Sequence, residues 1–153
     1  MKIDFCEATE GDLPAILSLY AQLGQDDGEV LSLEEAVCIF ARMKSYPDYR
    51  LHIAQINGKT VGTFALLIMD NLAHRGARSA ILEDIVVEAG QRGQGIGRKM
   101  MAYAASLCQK RGCYKMALNS NRHRVDAHRF YESLGYERHG YSFAINEFQG
   151  ERE

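Results

Sequence analysis

Apolar side chains recur at helical spacing in Leu13, Ile16, Leu17, Tyr20 and Leu23, directly after Thr9-Glu10-Gly11-Asp12, which supplies a capping residue. A helix is expected there. Ser32-Leu33-Glu34-Glu35 has the form of a capping box, Val37, Phe40 and Met43 follow down one face, and Pro47 closes the segment. Between these two helices Gly24 to Val30 is polar and is expected to be mobile. The period then changes. Leu51 to Ile56 and Thr60 to Met69 flank Asn57-Gly58, a dipeptide that readily takes the two positive φ angles of a tight hairpin turn. After a loop from Leu72 to Arg78, the run Ala80 to Val87 is apolar and rich in branched residues, apart from Glu83 and Asp84. It reads as a central strand that carries two acids.

Gly90-Gln91-Arg92-Gly93-Gln94-Gly95-Ile96-Gly97 leads from that strand into Met100, Met101, Ala104, Ala105 and Leu107 at helical spacing, closed by Lys110, Arg111 and Gly112. Tyr114 to Leu118 is a further expected strand, Asp126 to Leu134 a short helix stopped by Gly135, and Tyr141 to Phe148 a last strand. With no repeat, linker or low-complexity segment, residues 1–153 are expected to form one α+β domain around a mixed sheet.

Composition narrows the partners. An apolar fraction of 46%, a charged fraction of 25% and a formal net charge of -2 give no general attraction to nucleic acid or anionic membrane. The longest apolar stretch, Thr63 to Met69, falls far short of the roughly 20 residues that span a bilayer. Asp4 and Glu7 interrupt any signal-peptide start, so a cytoplasmic protein is expected. Cys6, Cys38, Cys108 and Cys113 lack the close pairing of metal sites and read as reduced thiols. His123, His128 and His139 match no standard metal spacing, and no metal is expected.

The glycine loop carries the chemistry. The first amides of a helix lack intrahelical partners and lie at the positive end of its dipole, which favours a phosphate. Glycines at 93, 95 and 97 admit such a group, and Arg92 and Arg98 add cations; without an anion, Arg98 would oppose the dipole. The loop is neither a Walker A sequence nor the dinucleotide pattern Gly-x-Gly-x-x-Gly. A plain tight turn into a helix is the alternative.

Arg92-x-x-Gly95-x-Gly97 after Ile85-Val86-Val87 resembles the acetyl-CoA pyrophosphate loop of the GNAT superfamily of N-acetyltransferases. Ala127-His128-Arg129-Phe130-Tyr131-Glu132-Ser133-Leu134-Gly135-Tyr136 resembles that family's late helix. The resemblance implies a central sheet of about six to seven strands with about four helices, and a V-shaped slot opened by a bulge in the strand Ile81 to Val87. It implies that Arg92, Gly93, Gln94, Gly95, Ile96, Gly97 and Arg98 cradle the pyrophosphate of acetyl-CoA. An amide within Ile85, Val86 and Val87 would polarise the thioester carbonyl.

Direct transfer requires a neutral amine, and an alkylamine with a pKa of about 10.4 is protonated at neutral pH. Glu83 is the first candidate for the base and Asp84 the second; as neighbours on a strand they are expected to face opposite sides, with one in the slot. Either acid has a structural alternative, an ion pair with Arg75 or Arg78. Tyr131, by resemblance, would protonate the departing thiolate. No cysteine sits in a nucleophile motif, which favours direct transfer over a covalent acyl-enzyme.

For the acceptor, two narrower groups compete: glucosamine-6-phosphate N-acetyltransferases, through Leu82 to Val87 and Gly112 to Lys115, and aminoalkylphosphonate N-acetyltransferases, through Asn119 to Tyr136. Arg124 replaces a common family asparagine. His74, Arg75 and Arg78, with Arg124 and its neighbours Arg122 and His123, are candidates to clamp a phosphate or phosphonate. The same charges could instead meet the 3′-phosphate of the coenzyme or simply solvate loops. The expected function is acetylation of a small primary amine; the rivals are acetylation of a protein amine and a non-catalytic acyl-CoA sensor. Family members are often homodimers, which makes a second copy the expected partner.

Overall fold

The computed structural model describes residues 1–145, which divide into two compact units, Met1–Leu118 and a second beginning at Asn119. In the first unit five strands form one sheet in the order β1-β2-β3-β4-β5. They are β1 (Asp4–Glu7), β2 (Tyr49–Ile56), β3 (Lys59–Met69), β4 (Arg78–Val87) and β5 (Cys113–Leu118). Three helices accompany them, α1 (Leu13–Ala21), α2 (Leu33–Ser45) and α3 (Ile96–Lys110). The second unit contains α4 (Val125–Ser133).

Both early helices start as their sequences require. The Asp12 carboxylate accepts from the Thr9 amide at 2.8 Å and the Thr9 hydroxyl at 2.9 Å. At α2 the Glu35 amide donates to the Ser32 hydroxyl at 3.3 Å, while Glu35 Oε2 accepts from the Ser32 amide at 3.0 Å, a reciprocal capping box. Ile16, Phe40, Leu51 and Ile53 meet in a buried cluster that joins α1 and α2 to the sheet. On α3, Ile96, Met100, Ala104 and Cys108 follow one another every four residues and are buried. A side chain at Gly62 on β3 would lie 2.7 Å from Met100 Sδ and 3.1 Å from the Val86 carbonyl, so only glycine permits this close approach.

Asn57 and Gly58 take φ values of 50° and 77°, the conformation expected of the β2–β3 hairpin turn. β4 is antiparallel to β3 and parallel to β5. Its pairing with β5 runs from Arg78 opposite Cys113 to Leu82 opposite Leu118 and stops there, although β4 continues to Val87. On the β3 side, Thr63 pairs with Val86 but Ala65 pairs with Glu83, so β4 carries one extra residue across this step. This is a bulge. Asp84 sits within it at φ 50°, a left-handed conformation that aspartate tolerates better than most residues.

Four expectations change. β1 was not foreseen, because four residues with two acids give no strand signal, yet it pairs with β2 from Asp4 opposite Gln55 to Glu7 opposite His52. Arg78, placed in a loop, opens β4 instead. The sheet has five strands among the described residues against about six to seven expected: Tyr141 to Ile145 form no strand, and the rest of that expected strand lies outside the described residues. The alternation that would send Glu83 and Asp84 to opposite faces is broken by the bulge.

Candidate active site

Beyond Leu82, no strand among the described residues pairs with β4 on the β5 side, so the ladder there ends before the backbone from Glu83 to Val87. That segment contains Ile85, Val86 and Val87, the residues expected to lie along the coenzyme. Val86 is buried while Ile85 and Val87 are half-buried.

The chain then turns through Ala89–Gln91 into the glycine loop, whose entry is tied down on several sides. The Glu88 amide donates to the Val61 carbonyl at 2.8 Å, Lys59 pairs with Glu88 at 2.7 Å, and the Ala89 amide donates to Gln22 Oε1 at 2.8 Å. Arg92 Nε donates to the Val87 carbonyl at 3.2 Å, and Gln94 donates to Gln91 at 3.2 Å. Gly93 and Gly95 have φ values of 77° and 78°, and a Cβ at either would meet nothing within 4 Å. Gly97 is helical, inside the first turn of α3.

The start of α3 is unusual in what it lacks. Gly95 at the N-cap offers no side-chain hydrogen bond, the first turn contains no acid, and Arg98 lies there. The first intrahelical bond runs from the Lys99 amide to the Gly95 carbonyl at 3.1 Å. The amides of Ile96, Gly97 and Arg98 therefore precede the helical ladder at its electropositive end. Ile96 contributes backbone only, since its side chain is buried. Such a start fits a pyrophosphate, which would supply both the missing acceptors and the missing negative charge.

A cavity of about 510 Å³ opens between α1, α2 and the loop that joins them, with Tyr49 and Leu51 of β2 and Asp84 of β4 in its wall. Asp84 is thus brought by the bulge to an otherwise largely apolar surface. Asp84 remains exposed by surface area, yet partial desolvation by its neighbours holds its carboxyl above the usual carboxylate range. Tyr20 and Tyr49 share the cavity; burial, and then the Asp84 charge, raise the Tyr20 phenol, and for Tyr49 burial is followed by Glu83 and Asp84. Glu83 does not line the cavity.

The expected phosphate clamp separates into parts. Arg78 Nε donates to Asp70 at 2.9 Å, and His74 stacks on Tyr114 with centroids 4.3 Å apart. Arg75 is exposed in the turn His74–Gly76, at φ 59°. None of these three lines the cavity. In the second unit Arg124 precedes α4 and lines an open depression of about 330 Å³ with His123 and Asp126. His128 Nε2 lies 2.9 Å from the Asn121 carbonyl, which gives it a structural partner. Among the described residues no three His, Cys, Asp or Glu gather to hold a metal.

Tyr131 lies on α4, half-buried against Phe130 and Tyr136 at ring distances of 5.3 and 6.2 Å. The Gly135 amide closes the helix on the Glu132 carbonyl at 3.0 Å, with φ 86° at Gly135. Burial raises the Tyr131 phenol and Arg124 partly offsets it, so the hydroxyl holds its proton at neutral pH.

The acetyltransferase (GNAT) family model matches residues 13–136, from the first turn of α1 to the aromatic cluster after α4. The chain belongs to this family. A probable glucosamine 6-phosphate N-acetyltransferase of Drosophila melanogaster is 33% identical over 99 residues, 63% of this chain and 44% of the relative. The aminoalkylphosphonate N-acetyltransferase of Salmonella typhimurium is 29% identical over 136 residues, 89% of this chain and 86% of the relative. The chain thus spans less than half the length of the first relative. A solved structure from Agrobacterium tumefaciens, provisionally described as an acetyltransferase, superposes with a TM-score of 0.88 at 35% identity, covering 94% of this chain and 99% of that one. The GNAT fold expected from the two motifs is therefore present.

The sequence reading missed the cavity. Leu17, Tyr20, Phe40 and Met43 were legible as helix faces, but nothing in their spacing shows that the two faces leave space between them. The positive φ at Asp84 had no sequence signal either.

Proposed function

We propose that this GNAT protein is an acetyl-CoA-dependent N-acetyltransferase that acts on a small primary amine, with residues 1–153 acting as one acetyltransferase domain in the cytosol. The observation that carries the reading is the course of β4. It takes Asp84 to the cavity wall, leaves its later backbone without a partner strand on the β5 side among the described residues, and ends at an uncapped, acid-free helix start.

In this reading the backbone from Gln91 to Arg98 holds the pyrophosphate of acetyl-CoA, whose thioester, once bound, is the acyl source. An amide of the segment Ile85 to Val87 directs its N–H to the thioester oxygen and stabilises the charge that develops there. Asp84 takes a proton from the ammonium form of the acceptor, and its raised pKa brings it closer to that task than an ordinary carboxylate. Asp84 thereby displaces Glu83 as first candidate for the base. Tyr131 gives its phenolic proton to the departing thiolate. The relatives' names bring amino sugar phosphates and aminoalkylphosphonates as one acceptor class. Arg75 and Arg124 are the residues to test for such a role.

A homodimer belongs to the same reading. Tyr141, Phe143 and Ile145, apolar at alternate positions, are exposed in the second unit, and light scattering tests whether two copies associate.

The functional test is release of the coenzyme thiol from acetyl-CoA in the presence of primary amines, with the acetylated product identified by mass spectrometry. Turnover that depends on the amine is expected. Tight acetyl-CoA binding without transfer to any amine, peptide amines included, would instead make the protein a sensor.

A further inference from the structure

Among the described residues the wall of the 510 Å³ cavity is charged in one sense only: Asp26, Glu29, Glu35 and Asp84 line it, and no described lysine, arginine or histidine does. The four acids are not equivalent. Glu35 is committed to the capping box, where its carboxylate accepts from the Ser32 hydroxyl at 2.7 Å and the Ser32 amide at 3.0 Å. Asp84 belongs to β4, while Asp26 and Glu29 come from the connection between α1 and α2. The remaining wall is aliphatic and aromatic, with Leu17, Ile39, Phe40 and Met43 among its residues.

The connection is itself held in an uncommon conformation. Gly24, Asp26, Asp27 and Gly28 all have positive φ, at 69°, 47°, 57° and 81°. Two non-glycine residues in the left-handed region cost backbone energy that a solvated loop would avoid. Asp26 is one of these, and it also lines the cavity.

We infer that the acceptor is a primary amine with an apolar body and no acidic group, an alkyl- or arylalkylamine, and that Asp26 and Glu29 favour a second cationic group at its far end. This rests on the acetyl-transfer reading and narrows it. An ammonium group beside Asp84 gains an opposite charge on a weakly hydrated surface, and an apolar chain removes water from the aliphatic wall. A phosphate or phosphonate in the same space would meet acidic residues and, among the described residues, no cation. Negative charge of this kind selects against anionic acceptors as well as for cationic ones. Of the residues suited to a phosphate, the two in the first unit, Arg75 and Arg78, lie outside this wall, and Arg78 is already paired with Asp70.

The test compares kcat/KM at saturating acetyl-CoA for hexylamine, 1,6-diaminohexane and 2-phenylethylamine with that for glucosamine 6-phosphate and 2-aminoethylphosphonate. The three apolar amines should exceed both phosphorus-bearing amines by at least about tenfold, with the diamine ahead of hexylamine. Replacing Asp26→Asn and Glu29→Gln together should raise KM for the diamine several-fold more than it raises KM for hexylamine. Faster turnover of either phosphorus-bearing amine overturns the inference and leaves acetyl transfer standing. Absence of turnover with every amine, while acetyl-CoA binding persists, overturns the acetyl-transfer reading and this inference together. Equal effects of the double variant on diamine and monoamine remove the second cation from the account.

Discussion

The two ends of the second half of β4 have opposite electrostatics. At the bulge, Asp84 lines a cavity that holds further acids and, among the described residues, no bases. At the far end, the strand passes into a helix start with two positive-φ glycines, Arg98 in its first turn and no acid there. The acidic end uses side chains, whereas the cationic end depends on backbone. Chemistry at the first is therefore sensitive to changes of functional group, while binding at the second is sensitive to the addition of bulk.

The largest expected effect comes from removing the acid. Asn tolerates the left-handed conformation about as well as Asp, so Asp84→Asn removes charge without adding strain. Steady-state kinetics should show kcat lower by about a hundredfold or more, the usual range for a lost general base, with KM for acetyl-CoA little changed. The variant should also be no less heat-stable. Partial desolvation raises the Asp84 carboxyl, so at neutral pH its ionised form opposes folding, and that cost eases as pH falls through the raised folded value. A drop in Tm for Asp84→Asn would show that the carboxylate is structurally paired instead.

Next in size is the backbone end. Gly95→Val places a branched side chain at φ 78° and in the space assigned to phosphate, and calorimetry should show acetyl-CoA affinity reduced by about a hundredfold. A circular-dichroism melt distinguishes loss of the cradle from loss of the fold. If affinity survives in a folded variant, the loop assignment is wrong. Tyr131→Phe should have a smaller effect, about tenfold or more on kcat at neutral pH with coenzyme affinity unchanged, because solvent can replace a proton donor to a thiolate more readily than it replaces a base.

A fourth expectation concerns stability on the opposite side of the sheet from the cavity. His52 is buried, stacks on Phe64 at 5.1 Å and lies edge-on to Tyr103 at 5.8 Å; burial, and then Arg50, push its pKa down to about 4. The unfolded chain takes up this proton near the ordinary value of about 6.5, whereas the folded chain resists it to about 4. Stability is therefore retained above the ordinary value and lost as pH falls between the two, by about 3 kcal/mol in all. Denaturant titrations across that window should show this slope, and His52→Phe should flatten it.

What could be read from the chain differs between the two ends for a physical reason. The helix start was legible because glycine spacing and the flanking arginines are local properties of a few consecutive residues. Capping at Thr9 and Ser32 and the Asn57-Gly58 turn were legible on the same ground. The cavity was not, since it is made by α1, α2, β2 and β4 together, and the spacing of Leu17 or Phe40 predicts burial without saying against what. The proposed preference for Asp84 over Glu83 was not legible for a related reason. Alternation holds only in a regular strand, and a bulge at Asp84 leaves no mark in a sequence that otherwise reads as branched and apolar. β1 escaped because its pairing with β2 is a long-range contact formed by a short segment.

The most direct test of the account is the pH dependence of kcat for the wild type, Asp84→Asn and Glu83→Gln, at saturating acetyl-CoA with an amine that the wild type acetylates. The account predicts that Glu83→Gln keeps the wild-type acidic limb and stays within about tenfold of its rate, while Asp84→Asn falls by about a hundredfold or more and loses that limb. The reverse pattern, with the limb lost in Glu83→Gln and kept in Asp84→Asn, would contradict the placement of the base at the bulge.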